Sequence, residues 1–210
     1  MDTDILHAVS QYAQEVLGNE GFRYASAVVA NCKMLALQIE AEEEAAPAIN
    51  TEALVLAAYL HDIAVVSSGF KDHHRKSAEM AVEFLKQQKA PSELVELVEQ
   101  IILIHTTSVP EGERESVPIE GLILYDADKL GRLSGLAVVT SLIELGERYP
   151  HRAANSDLLA AVLRHIEERF IELYQSLHTQ PARELARDKF NRTLAFLDGV
   201  IEHLSDATPV

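Results

Sequence analysis

Apolar residues recur at three-to-four spacing in almost every segment of this chain, and no segment shows the strict apolar–polar alternation of a half-buried strand. The backbone is therefore expected to be helical throughout, an all-α domain. "TDILHAVSQYAQEVLG" sets Ile5, Val9, Tyr12, Ala13 and Val16 on one face and then meets Gly18, a natural helix stop. A second helix starts near Arg23 with Val28, Cys32, Leu35 and Ile39 as its stripe; an acidic run follows, closed by Pro47. "NTEALVLAAYLHDIAVV" opens on Asn50 or Thr51 as a cap and is apolar on nearly all sides, the mark of a central buried helix.

Beyond the Ser-Ser-Gly turn at 67–69, the helical period resumes through Ala78, Ala81, Val82 and Leu85, and Pro91 opens "SELVELVEQIILIH". Thr106–Pro118 is rich in turn formers and charge and reads as a surface loop bordering a site. Later helices are read in "IEGLILYDADKL", in "GLAVVTSLIELGERY" despite its β-branched content, behind Ser156, and behind Thr179 with Pro181 in the first turn. With 210 residues, 48% of them hydrophobic, and no internal repeat or linker, one domain spanning 1–210 is expected, its core at 20–135 and the C-terminal helices of 156–205 packed on it.

Charge and cysteine content narrow the function classes. A formal charge of -15 repels nucleic acid and anionic membrane surfaces, so nucleic acid is disfavoured as a partner. A single cysteine, Cys32, excludes a disulfide framework and a Cys-rich zinc site and suits a reducing, cytoplasmic setting. No apolar run reaches the roughly 18 residues of a membrane span, and the N-terminus lacks the pattern of a signal peptide. Self-association stays open.

Chemistry is concentrated in two places. His61 and Asp62 close the apolar helix; on a regular helix they point about 100° apart, so they share one ion only where the helix ends. Adjacent His-Asp alone also fits a capped helix end. "LYDADKLGRL" draws Asp126 and Asp128 inward between apolar flanks, and a carboxylate pulled into a core needs a cation or donors.

"HD" after an apolar helix, then "HHRKSAEMA", "IILIHTT" and "PIEGLILYDADKLGRL", in this order and at these separations, resemble the HD-domain family of metal-dependent phosphohydrolases, and within it the small single-domain bacterial and archaeal members. The resemblance runs from about residue 20 to the last helix. It implies a helical domain holding one or two divalent ions (Mn, Mg, Fe, Co, Ni or Zn) with His61, Asp62 and Asp128 as ligands and Asp126 as a less favoured ligand or a partner of the ligands. His74 and His105 match positions that contact substrate or a second metal; here they are cast as phosphate donors or leaving-group acid. Lys129 and Arg132 are candidates to neutralise a small phosphorylated substrate, against the simpler reading of a solvated helix face. His73, beside His74, is expected to be exposed, as are His7, His151, His165, His178 and His203. Glu120 is read most simply as a helix-start carboxylate.

The sequence departs from the family pattern at its first ligand, where a His is usual and the best alignment of "FRYASAVVAN" places Tyr24. Imidazole binds these metals at neutral pH, whereas a phenol must first lose a proton with a pKa near ~10. Three readings follow: a phosphohydrolase with a weakened first position, a catalytically degenerate HD domain that binds a ligand or partner, and a purely structural helical protein. Tyr24 separates the first two, since it can serve as a weak ligand or fill the space of a His and bond a neighbouring carboxylate.

Overall fold

The structure, a computed structural model, describes residues 3–42, 48–69, 72–106, 110–150 and 156–205. Among them there are helices and no strand: α1 (Thr3–Glu42), α2 (Thr51–Leu60), α3 (Val65–Ser68), α4 (His73–Gln87), α5 (Ser92–Ile104), a 3-10 turn (Glu111–Ser116), α6 (Ile119–Arg132), α7 (Gly135–Arg148), α8 (Ser156–Gln175) and α9 (Gln180–Ser205). Pro47, His151 and residues 107–109 of the long loop lie outside the described residues.

The backbone groups into two compact units, 1–128 with 178–182, and 129–177 with 183–210. In the first, α1, α4 and α5 all pack on α2, which explains why α2 is apolar around its circumference. Ala53 through Ala58 and Leu60 are buried. Asn50 caps it, its Oδ1 accepting from the Ala53 N–H at 3.0 Å. The Asn50 N–H in turn donates to Glu120 Oε1 at 2.6 Å, so the helix-start carboxylate of α6 serves α2 as well as its own helix. α1 breaks at Gly18, whose φ of 68° suits only glycine, and beyond the break Val28, Cys32, Leu35 and Ile39 are all buried as the stripe requires. α6 is held against α1 by Asn31 Nδ2, which donates to Ala127 O at 3.1 Å. It also approaches α5 closely at Gly121, where a Cβ would stand 3.2 Å from Ile104. Every residue from Glu120 to Leu130 is buried.

The second unit has its own small core of Val138, Leu163, Leu197 and Ile201, with Leu142, Leu159, Ile166, Val200 and Leu204 packed against it. Phe190 stacks on Phe170 and Tyr174 at centroid distances of 5.4 and 4.1 Å. The β-branched segment read as helix is α7, and α8 begins at Ser156 itself.

Candidate metal centre

α2 ends at Leu60, and residues 61–64 form a turn before α3. This is the departure that lets neighbouring His61 and Asp62 face a common point. The turn is held from below by α4, where buried Ser77 Oγ accepts the Ala64 N–H at 3.1 Å. One helical turn above Ser77, α4 starts with His73, and its Nε2 lies 3.2 Å from Asp62 Oδ1. From the end of α5, His105 brings its Nε2 to 3.6 Å from the same oxygen. On the other side His61 Nε2 stands 3.5 Å from Asp62 Oδ2 and 4.0 Å from Asp128 Oδ1. The imidazoles of His61 and His105 meet edge to face at 5.0 Å, and those of His73 and His105 at 5.5 Å.

Hydrogen-bond accounting fixes what these nitrogens present. His61 Nδ1 lies 2.8 Å from Ala58 O and His105 Nδ1 lies 2.5 Å from Ile102 O. A carbonyl only accepts, so in both rings Nδ1 carries the proton and, in the neutral imidazole, Nε2 presents a lone pair. Those lone pairs face carboxylate oxygens. His61 Nε2 and Asp62 Oδ1 are buried with no hydrogen-bond partner, an arrangement that costs about 1–3 kcal/mol per group unless a cation lies between them. His61, Asp62 and His105 offer ligand atoms within 4.8 Å of one another. Two donors each about 2.1 Å from one ion stand roughly 3 to 3.5 Å apart, close to the separations seen, so these residues fit a divalent ion.

The electrostatics agree. Burial by itself would raise the Asp62 carboxyl, and Asp128 adds to that. The contact with His105 and the proximity of the His61 and His105 imidazoles outweigh both and hold it below the usual carboxylate range. Burial lowers His105, with His61 acting in the same direction against Asp62 and Ile102, and favours the neutral ring that serves as a ligand. Burial pushes the Cys32 thiol up, as expected of an inert core cysteine.

The Tyr24 hydroxyl donates to Asp128 Oδ1 and lies 3.3 Å from Asp128 O. Asp126 faces elsewhere: Oδ1 accepts the His178 N–H at 2.8 Å, and Oδ2 accepts the Thr179 N–H and hydroxyl, each at 2.7 Å. Thr179 Oγ1 in turn caps α9 through the Ala182 N–H at 3.4 Å. His74 is half-buried on the first turn of α4, its ring 5.8 Å from that of His73. Its pKa is lowered by burial first and then by His73 and Arg75. On α6, Arg132 is exposed but Lys129 is buried, contrary to a solvated face, because it falls in the buried run of that helix.

Two histidines differ from expectation. His73 is part of the group and not an exposed neighbour of it; its fourfold spacing with Ser77, Ala81 and Leu85 was the available signal. His178 is buried, with its ring against Tyr125 at 4.5 Å and Nδ1 3.3 Å from Asp126 Oδ1; no periodicity marks a partner 52 residues away. His7, by contrast, is exposed as expected.

An all-helical chain whose central helix ends in a histidine–carboxylate group that could hold a divalent ion defines a class of helical domain with a candidate metal centre. The chain belongs within it to the HD domain family, which matches residues 26–133, just over half of its length. No curated protein matches the sequence. Solved structures share the fold. The Lin1889 protein from Listeria innocua is 18% identical over 98% of both chains, with a TM-score of 0.67. YpgQ from Bacillus subtilis, crystallised in complex with ADP, is 20% identical over 95% of this chain and 94% of its own, with a TM-score of 0.64. An HD superfamily hydrolase predicted for an uncultured Thermotogales bacterium is 20% identical over 95% of this chain and 91% of its own, with a TM-score of 0.56. No helix among the described residues is long and apolar enough to cross a membrane.

Proposed function

We propose that this chain is a metal-dependent phosphohydrolase acting on a small phosphorylated metabolite or nucleotide. The observation that carries the reading is the pair of backbone-locked imidazoles, His61 and His105, whose Nε2 atoms face Asp62 across 3.5 and 3.6 Å. His61, Asp62 and His105 would hold a divalent ion, and Asp128, 4.0 Å from His61 Nε2, stands beside them. Such an ion supplies acidified water and withdraws charge from a phosphoryl oxygen.

The chain's own residues do the rest. The Ala58 and Ile102 carbonyls fix the two rings in the tautomer that leaves Nε2 for binding. Ser77 keeps the turn after Asp62 seated on α4. His74, with its lowered pKa, offers a neutral imidazole that donates to a phosphate oxygen or passes a proton to the leaving group. Lys129 and Arg132 remain candidates to neutralise the substrate's charge. The ADP held by YpgQ supports placing nucleotides among the substrates.

The test is release of phosphate from monoesters and nucleotides with added Mn, Mg, Co or Ni, expected in the parent and abolished by His61→Ala. One observation favours the alternative of a degenerate, ligand-binding HD domain: the Tyr24 hydroxyl already occupies an oxygen of Asp128. Turnover absent in the parent and present in Tyr24→His would establish that alternative.

A further inference from the structure

We infer that Tyr24 withholds Asp128 from the metal group, so that a divalent ion is held by His61, Asp62 and His105 and Tyr24 limits how tightly. The inference rests on the metal-binding reading above and not on turnover.

One atom is claimed from two sides. Asp128 Oδ1 is the oxygen that faces His61 Nε2, at 4.0 Å, and it is the same oxygen that accepts the Tyr24 hydroxyl. An O–H donated to a carboxylate is a strong, charge-assisted bond, and joining an ion there means breaking or weakening it. The Tyr24 oxygen also lies against Asp128 O at 3.3 Å, so side chain and backbone of one residue are engaged together. The group formed by His61, Asp62 and His105 is bordered instead by the His73 imidazole, whose Nε2 lies 3.2 Å from Asp62 Oδ1. There the two ring tautomers are set by backbone carbonyls, and buried His61 Nε2 and Asp62 Oδ1 have no hydrogen-bond partner. Two imidazoles and a carboxylate are a strong donor set for first-row divalent metals, and a protonated phenol is not. Asp128 is only 1% exposed and its Oδ1 faces His61 Nε2 at 4.0 Å, so without the Tyr24 hydroxyl that oxygen is placed to share an ion with His61.

Co(II) titration of purified protein, read by dissociation constant and visible spectrum, tests this without substrate. Tyr24→Phe is expected to bind Co(II) about 10-fold more tightly, Asp128→Asn to stay within roughly 3-fold of the parent, and His105→Ala to bind about 100-fold more weakly. Equal weakening by Asp128→Asn and His61→Ala overturns the proposal. So does weaker binding by Tyr24→Phe with loss of a phenolate charge-transfer band, which would make Tyr24 itself a ligand. Should His105→Ala fail to fold, the Tyr24→Phe and Asp128→Asn pair decides alone. Absence of Co(II) binding in parent and variants alike overturns both this inference and the metal reading. The expected Co(II) pattern without any turnover leaves the inference standing and removes only the phosphohydrolase.

Discussion

The first unit contains two buried clusters of the same residue types, and they are opposites in their accounting. Asp126 with His178 is saturated: backbone N–H groups of 178 and 179 and the Thr179 hydroxyl meet its carboxylate, and the 178–179 segment is fixed at the start of α9. Around Asp62 the Nε2 atoms of His61, His73 and His105 lie 3.2–3.6 Å from its carboxylate, and two atoms, His61 Nε2 and Asp62 Oδ1, have no hydrogen bond. The Asp126–His178 pair is fully buried and Asp62 and His73 are partly exposed, but the larger difference is in the supply of donors. A histidine–carboxylate cluster whose donors match its acceptors holds a fold together, whereas one with buried acceptors left over could hold a cation.

Substitutions can break this contrast. Asp126→Ala should have the largest effect on stability, roughly 3 kcal/mol by chemical denaturation, because it strands two buried N–H groups and a hydroxyl. A loss below ~1 kcal/mol would show that the saturated cluster is not structural. His61→Gln should do the reverse, weakening Co(II) binding about 100-fold while changing the stability of metal-free protein by ~1 kcal/mol or less. Were His61→Gln and Asp128→Ala to leave both metal content and stability untouched, the third reading, a purely structural helical protein, would be favoured.

Smaller effects sharpen the comparison. Ser77→Ala removes the acceptor for the Ala64 N–H and is expected to cost about 1 kcal/mol, with faster hydrogen exchange at that amide. Unchanged exchange would mean that the turn carrying Asp62 is held by something else. In the second unit Glu167 is a mild, solvated counterpart. Burial raises its pKa first, followed by contact with Asp198 and the charge of Glu168, against Arg164. An acid raised on folding stabilises the protein fully below its unfolded pKa, near ~4.3, and loses that contribution as pH rises through the folded value. Glu167→Gln should therefore flatten the stability–pH curve above that point and raise Tm by about 1–2 °C at neutral pH. An unchanged curve would show that the Glu167–Asp198 contact carries no energy.

How far the sequence foretold this arrangement follows the same division between local and distant effects. Asn50 and Thr179 were legible as caps, Gly18 as a break and α2 as the central helix, because periodicity and capping act within a few residues. His61, Asp62, His105 and Asp128 were legible as an ordered set of landmarks, and the structure brings His61, Asp62 and Asp128 to one point with His105 beside Asp62. Choosing between His73 and His74 required the orientation of the first turn of α4, which depends on where that helix starts against Asp62. The burial of His178 required its pairing with Asp126, and that of Lys129 required knowing that α6 is enclosed over a run of eleven residues, 120–130. Neither leaves a periodic mark.

Anomalous diffraction from crystals soaked in cobalt chloride addresses the central claim directly. The expected result is a peak in contact with His61 Nε2, Asp62 and His105 Nε2, with Tyr24 still bonded to Asp128. A peak absent from that group, or one coordinated by Tyr24 and Asp128 without His105, would contradict it.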